Sequence, residues 1–217
     1  MPDLIYQRDV TVQFSDLDNR VALPGLHVRR PRSPGLHISG ILHAIALRVG
    51  WLKPGEPLEE DYPWHMALGS MWEEYWFSLP WAREAGTVWQ PGEQTYSGIS
   101  GNADGITPWD DEADGPVLEE TKFTSLKVRD WEELRADKKM WEHQVRAYLG
   151  LYGLTELERR GEPACSRQTV MYYRGDYRGS GPICRQYLVR WTGLECRQSW
   201  DMLINHRHLA AAEGYGA

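Results

Sequence analysis

Long apolar runs are missing from this chain of 217 residues. The longest candidate, residues 38–49, is short and interrupted by Ser39, His43 and Arg48, which excludes it as a membrane span. The opening residues, MPDLIYQRDV, lack the basic-then-apolar pattern of a signal peptide, so the expectation is a soluble cytoplasmic protein. Cysteine is scarce. Cys165, Cys184 and Cys196 are far apart and form no C-x-x-C pair, which argues against a disulfide framework and for reduced, partly buried thiols. Phenylalanine is scarcer than its aromatic companions, 3 against 11 Trp and 11 Tyr, and rings with a polar edge suit half-buried surfaces and grooves. No internal repeat or low-complexity tract is present, so a solenoid or an array is excluded.

A net positive charge is also missing: the formal charge is −7. Its distribution is uneven. Residues 37–120 carry 15 acids against 3 Lys and Arg, whereas residues 121–217 carry 16 Lys and Arg against 12 acids. Residues 165–208 contain seven arginines and no lysine. An acidic half joined to an arginine-rich half can set a cation site beside a phosphate-binding wall, and it can equally be two solvated faces of opposite sign.

Residues 1–36 read as an N-terminal arm, with a candidate strand at 10–14 and an extended, Arg-containing stretch, HVRRPRSPG. From Ser39, a candidate cap, helical spacing of Ile41, Leu42, Ile45 and Val49 predicts a helix to about Trp51. A second helix is predicted from about His65 to Leu79, stopped by Pro80. Short strands are predicted at 87–90 and 94–100, and another at 117–125 after the acidic turn PWDDEADG. A long helix is expected over 130–152, opened by a capping box of Asp130 and Glu133 and ended by Gly153. Strands at 169–174 and 183–191 and a last helix at 195–211 complete a mixed α/β sandwich.

The chemistry-bearing stretch is GNADGITPWDDEADGPVLEETKF. Asp104 precedes a turn-rich segment, and Glu120-Thr121-Lys122 lies on the next strand. Alternate side chains of a strand share a face, so Glu120 and Lys122 point one way and Thr121 the other. If Asp104 meets Glu120 across the hairpin, two carboxylates and an ammonium converge. Two hard oxygen ligands suit Mg²⁺ or Mn²⁺, and a lysine beside them can position an attacking water.

This set resembles the PD-(D/E)XK nuclease superfamily, in its RecB-type and phage lambda-type exonuclease branch. Asp104 matches the first acid, Glu120 and Lys122 the E-x-K element, and Gln144 and Tyr148 the Q-x-x-x-Y helix motif. Gly69 and Glu73 resemble the G-x-x-x-E of a preceding helix, with the adjacent Glu74 an open alternative. His43 is a further candidate ligand. The resemblance spans about residues 37–190, and Ala103 replaces the proline of the family name.

The resemblance implies a restriction-endonuclease-like α/β fold, a mixed sheet flanked by helices in one domain over residues 37–217. It implies a Mg²⁺- or Mn²⁺-dependent deoxyribonuclease, most readily an exonuclease of phage-type DNA recombination, repair or processing. Asp104, Glu120, Lys122, Gln144 and Tyr148 would be catalytic, and Glu73, Asp104, Glu120 and the Thr121 carbonyl would hold metal. Arg174, Arg178, Arg185 and Arg190 are candidate phosphate clamps. DNA is the implied partner, no membrane is involved, and a homo-oligomer or a recombination or replication partner protein stays open. An iron–sulfur cluster is not expected, because CRISPR-associated relatives use four cysteines. A non-catalytic nucleic-acid-binding or phage assembly module, a structure-selective endonuclease and an unrelated metal-binding α/β protein are the alternatives.

Overall fold

A computed structural model describes residues 2–10, 34–52, 63–124, 130–156, 161–172 and 183–215. In chain order they form β1 (Asp3–Val10), β2 (Leu36–His37), α1 (Ile38–Val49), α2 (Pro63–Ser78), α3 (Pro80–Glu84), β3 (Val88–Trp89), β4 (Gln94–Tyr96) and β5 (Ile99–Gly101). There follow β6 (Gly105–Asp110), β7 (Gly115–Thr124), α4 (Trp131–Asp137), α5 (Lys139–Leu151), β8 (Ala164–Tyr172), β9 (Ile183–Trp191) and α6 (Gly193–Ala212).

Six strands make the main sheet, in the order β1-β9-β8-β7-β6-β3, and β2-β5-β4 form a small second sheet. The main sheet is mixed: β7 and β8 run parallel, with α4 and α5 between them in sequence, and every other neighbouring pair is antiparallel. The fold is therefore α/β, a mixed sheet flanked by helices, as the order of elements implied. Period-2 alternation divides the sheet residues between two faces. One face presents Leu118, Val170, Tyr187, Val189 and Trp191 to a core shared with α1, α5 and α6. The other presents Met171 and Cys184 to Trp72, Trp76 and Phe77 of α2, and Val117, Cys165 and Leu188 to a smaller cluster. All three cysteines are buried free thiols. Among the described residues no helix is long and apolar enough to cross a membrane.

Several local expectations are corrected. Asp3–Val10, assigned to an N-terminal arm, is an edge strand of the main sheet paired along β9. Its side chains are half-buried because only one neighbour covers it. Of the predicted strand at 10–14, Val10 ends β1 and residues 11–14 lie outside the described residues, as do the arginines at 29, 30 and 32 and the rest of that arm to residue 33. The helix after β2 is preceded by His37, not Ser39, and carries no side-chain cap. Pro80 does not simply stop a helix but opens α3, where its missing N–H has no partner to lose. The expected helix over 130–152 is two helices that part at Lys138, whose φ of −119° and ψ of 45° are not helical.

The capping box expected there is also absent, for a tertiary reason. Gln7 of β1 accepts the Trp131 N–H through Oε1 (2.9 Å) and donates to Asp130 Oδ1 through Nε2 (3.2 Å). A distant side chain thus caps the helix. The capping box that does form joins Thr192 and Glu195 at the start of α6.

Candidate functional site

The site grows from a place where one strand stops early. β6 pairs with β7 only as far as Gly105 opposite Glu119, while β7 continues to Thr124. Beyond Glu119 the β6-side edge of β7 has no strand to bond among the described residues. Asp104, the residue before β6, turns across that edge, and its Oδ2 accepts both the Thr121 N–H (2.7 Å) and the Thr121 hydroxyl (2.8 Å). A carboxylate therefore takes the place of a ladder carbonyl. Within a strand the N–H and C=O of one residue face the same neighbour, so the Thr121 carbonyl faces this edge as well.

Glu120 and Lys122 project from β7 toward α5, as the alternation predicts. The Lys122 ammonium is ion-paired with Glu120 Oε1 and donates to Gln144 Oε1 at 3.2 Å. Gln144 Nε2 in turn donates to the Tyr148 hydroxyl at 3.1 Å. One helical turn separates Gln144 from Tyr148, which puts both on the face of α5 that meets β7. The Trp141 ring, one turn earlier, has its centroid 5.9 Å from the same ammonium. Tyr148 fits there because Gly101 has no side chain: a Cβ at that position would lie 2.6 Å from Tyr148 Cε1 and 2.8 Å from Ile38 Cδ1.

A further tyrosine, one turn on from Tyr148, holds the loops that carry Asp104. The Tyr152 hydroxyl accepts the Ala103 N–H (3.0 Å) and donates to the Gly92 carbonyl (2.5 Å). Sequence reasoning missed Tyr152, although Gln144, Tyr148 and Tyr152 recur at i, i+4 and i+8 on one face. It also missed the double hydrogen bond from Thr121, whose value depends on where β6 ends.

The electrostatics favour an added positive charge. Glu120 is buried, and one of its oxygens, Oε2, has no hydrogen-bond partner. Burial first, and the Asp104 charge second, push its carboxyl up to about 8 against the pull of Lys122. Asp104 is likewise raised by burial, opposed by Lys122 and by its bonds from Thr121. A buried carboxylate and a half-buried one thus share one ammonium.

Glu73 on α2 stands behind this pair. Its Oε1 accepts from Trp89 Nε1 (3.0 Å) and Gln90 Nε2 (2.9 Å). Its charge acts on Glu120. Among the described residues no three His, Cys, Asp or Glu side chains gather closely enough to hold a metal ion by themselves. Asp104, Glu120 and Glu73 therefore do not make a three-carboxylate cage. The donor set is two acids, one of them with an orphaned carboxylate oxygen, and a strand-edge carbonyl. That is a fit for Mg²⁺ or Mn²⁺, which retain waters and accept phosphate oxygens as further ligands.

The arginines expected to clamp phosphate are placed differently. Arg185 shares the face of Lys122, two strands away or about 10 Å. It is already engaged by Asp9, with Nε to Oδ1 at 2.5 Å and Nη2 to Oδ2 at 3.1 Å. Arg190 lies on the opposite face and donates to the Ala113 carbonyl at 3.3 Å. Arg174 and Arg178 lie outside the described residues. His43 Nδ1 is 2.7 Å from the Tyr215 hydroxyl. The acidic run after β6 is a hairpin turn in which Asp110 Oδ1 accepts the N–H groups of Glu112 and Ala113.

No protein-family model matches the chain, and no curated protein matches it. Among solved structures, the crystal structure of SSO0001 is similar at a TM-score of 0.44 and 14% identity, covering 82% of this chain and 78% of that one. A likeness that remote carries no functional information.

Proposed function

We propose that this protein is a divalent-metal-dependent nuclease that hydrolyses DNA phosphodiesters. The observation that carries the proposal is the Lys122 ammonium, held by Gln144 beside the buried Glu120 and the half-buried Asp104, two carboxylates that are short of positive charge. Its resemblance to the PD-(D/E)XK superfamily adds the substrate class, the exonuclease assignment and a setting in phage-type recombination, repair or processing.

Asp104, Glu120 and the Thr121 carbonyl would hold Mg²⁺ or Mn²⁺. When bound, the ion supplies Lewis-acid polarisation of a phosphate and a more acidic water. The remaining work falls to the chain's own residues. Lys122 donates to a water at the strand edge and offsets charge on the phosphate. Gln144 leaves the ammonium no freedom to swing away, and Tyr148 holds the Gln144 amide. Thr121 fixes the Asp104 carboxylate through two donors to one oxygen, so that the other oxygen would serve the ion. DNA is held against the chain's net negative charge by Lys and Arg contacts to phosphates, which release counterions, so binding weakens as salt rises.

The test is a gel assay on linear and closed circular duplex DNA with Mg²⁺ or Mn²⁺, alongside EDTA and Lys122→Ala controls. Degradation of linear DNA alone, lost in both controls, is the expected result. Cleavage of the circle would make the protein a structure-selective or other endonuclease. Binding without cleavage in either metal would make it a non-catalytic nucleic-acid-binding or phage assembly module.

A further inference from the structure

Gln90 has a left-handed backbone, with φ at +49°. Ser97 and Asp114, also at positive φ, are each followed by a glycine in a tight hairpin turn, where such dihedrals belong. Gln90 has neither excuse. It follows the edge strand β3, and no glycine is next to it. A long side chain in this region is strained, and strain of that kind persists only where surrounding bonds enforce it.

Three hydrogen bonds enforce it here. The Gln90 N–H donates to the Asp104 carbonyl at 2.8 Å. Its side-chain Nε2 donates to Glu73 Oε1 at 2.9 Å, and Trp89 Nε1 donates to the same oxygen at 3.0 Å. Neighbouring side chains of a regular strand diverge to opposite faces. The left-handed turn at Gln90 breaks that alternation, and two consecutive donors converge on one carboxylate oxygen. The same residue that binds Glu73 through its side chain thus binds Asp104 through its backbone.

We propose that Gln90 and Trp89 are positioning residues that lock Glu73 to the Asp104 loop, so that Glu73 serves a cation held by Asp104 and Glu120 through an intervening water. The inference rests on the metal-nuclease reading. It explains why Glu73 is held behind the acid pair by two donors instead of joining it directly. Outer partners of this kind commonly change metal affinity by 10- to 100-fold.

The test is Mn²⁺ binding by titration calorimetry, with thermal unfolding of the metal-free protein beside it. Gln90→Gly suits the backbone dihedral and removes the amide. The expected result is Mn²⁺ binding weakened about tenfold, at the low end of that range, with no loss of melting temperature. Trp89→Phe keeps the ring, removes one donor and should weaken binding by a smaller factor. Glu73→Gln should weaken it as much as Gln90→Gly, and the double variant should be no worse than Glu73→Gln alone. Unchanged Mn²⁺ affinity in Gln90→Gly, or additive effects in the double variant, would overturn the inference while leaving the nuclease reading in place. Wild-type protein that neither binds Mn²⁺ nor cleaves DNA would overturn both.

Discussion

Lys122 and Gln144 belong to different layers of the fold, a sheet strand and a covering helix, and meet at 3.2 Å through Nζ and Oε1. Gln144 cannot accept a proton from the lysine, so its contribution is orientation. Gln144→Ala should therefore lower kcat for DNA cleavage by about 10- to 100-fold, less than the roughly 10²- to 10⁴-fold expected for Lys122→Ala. Gln144→Glu should be worse than its size implies, because a third carboxylate beside Glu120 draws the ammonium into a permanent ion pair. Rate constants on linear duplex DNA at saturating Mg²⁺ check the order. Equal losses in the alanine variants would show that Gln144 does more than hold the lysine.

The Tyr152 hydroxyl bridges Ala103 and Gly92, at 3.0 and 2.5 Å. Tyr152→Phe keeps the packing and orphans the N–H of buried Ala103, while the exposed Gly92 carbonyl turns to water. The expected cost is about 1 kcal/mol of stability, the low end of the usual penalty for a buried polar group left unmade. Because Ala103 immediately precedes Asp104, metal binding should weaken together with stability. Urea unfolding and Mn²⁺ titration of the variant read the two effects. A loss of stability with unchanged metal affinity would mean that Thr121 alone holds Asp104.

How far the sequence disclosed this site follows from the range of the forces involved. Glu120 with Lys122, and Gln144 with Tyr148, were legible because the two-residue and four-residue periods are local geometry. The strand 183–191 was legible for the same reason. The break at Lys138 was not, because neither proline nor glycine marks it and the amphipathic pattern runs through. Nor was the cap on α4, since Gln7 is 124 positions away from Trp131. Arg185 read as a candidate phosphate clamp because its partner, Asp9, is 176 positions away. The Glu73 clamp depends on a left-handed glutamine, which no propensity scale anticipates.

The buried acids give stability a defined pH dependence. Glu120 is raised from 4.5 to about 8, Glu119 from 4.5 to about 7, and Asp104 in the same direction, each chiefly by burial. Between the unfolded and folded values the native state binds more protons than the unfolded one, so stability falls as pH rises. The metal-free protein should be most stable near pH 5 and lose stability progressively to about pH 8. Urea midpoints in EDTA at several pH values measure this. Glu120→Gln should flatten the slope and raise stability at pH 8. Mg²⁺ should do the same in the wild type, with release of protons that calorimetry in two buffers detects.

On the face of the sheet opposite Lys122, Arg167 is 4% exposed and donates to Glu119 Oε1 at 3.0 Å while pairing closely with Asp110. Thr107 adds a hydroxyl to the same Glu119 oxygen at 2.7 Å. These contacts tie β8 to β7 and to the far end of β6, so the hairpin that carries the acids is clamped from behind. Arg167→Met removes the one guanidinium and strands two acids, and breaking such a pair typically costs about 3–5 kcal/mol. The loss should be largest above pH 7, where Glu119 must carry its charge, and smaller at pH 5, where it takes up a proton. Adding Glu119→Gln should restore much of it, because the remaining amide can still accept from Thr107. Urea unfolding of the single and double variants at both pH values tests the scheme. A loss that is the same at pH 5 and pH 8 would show that packing of the arginine stem, not its charge, is what the sheet requires.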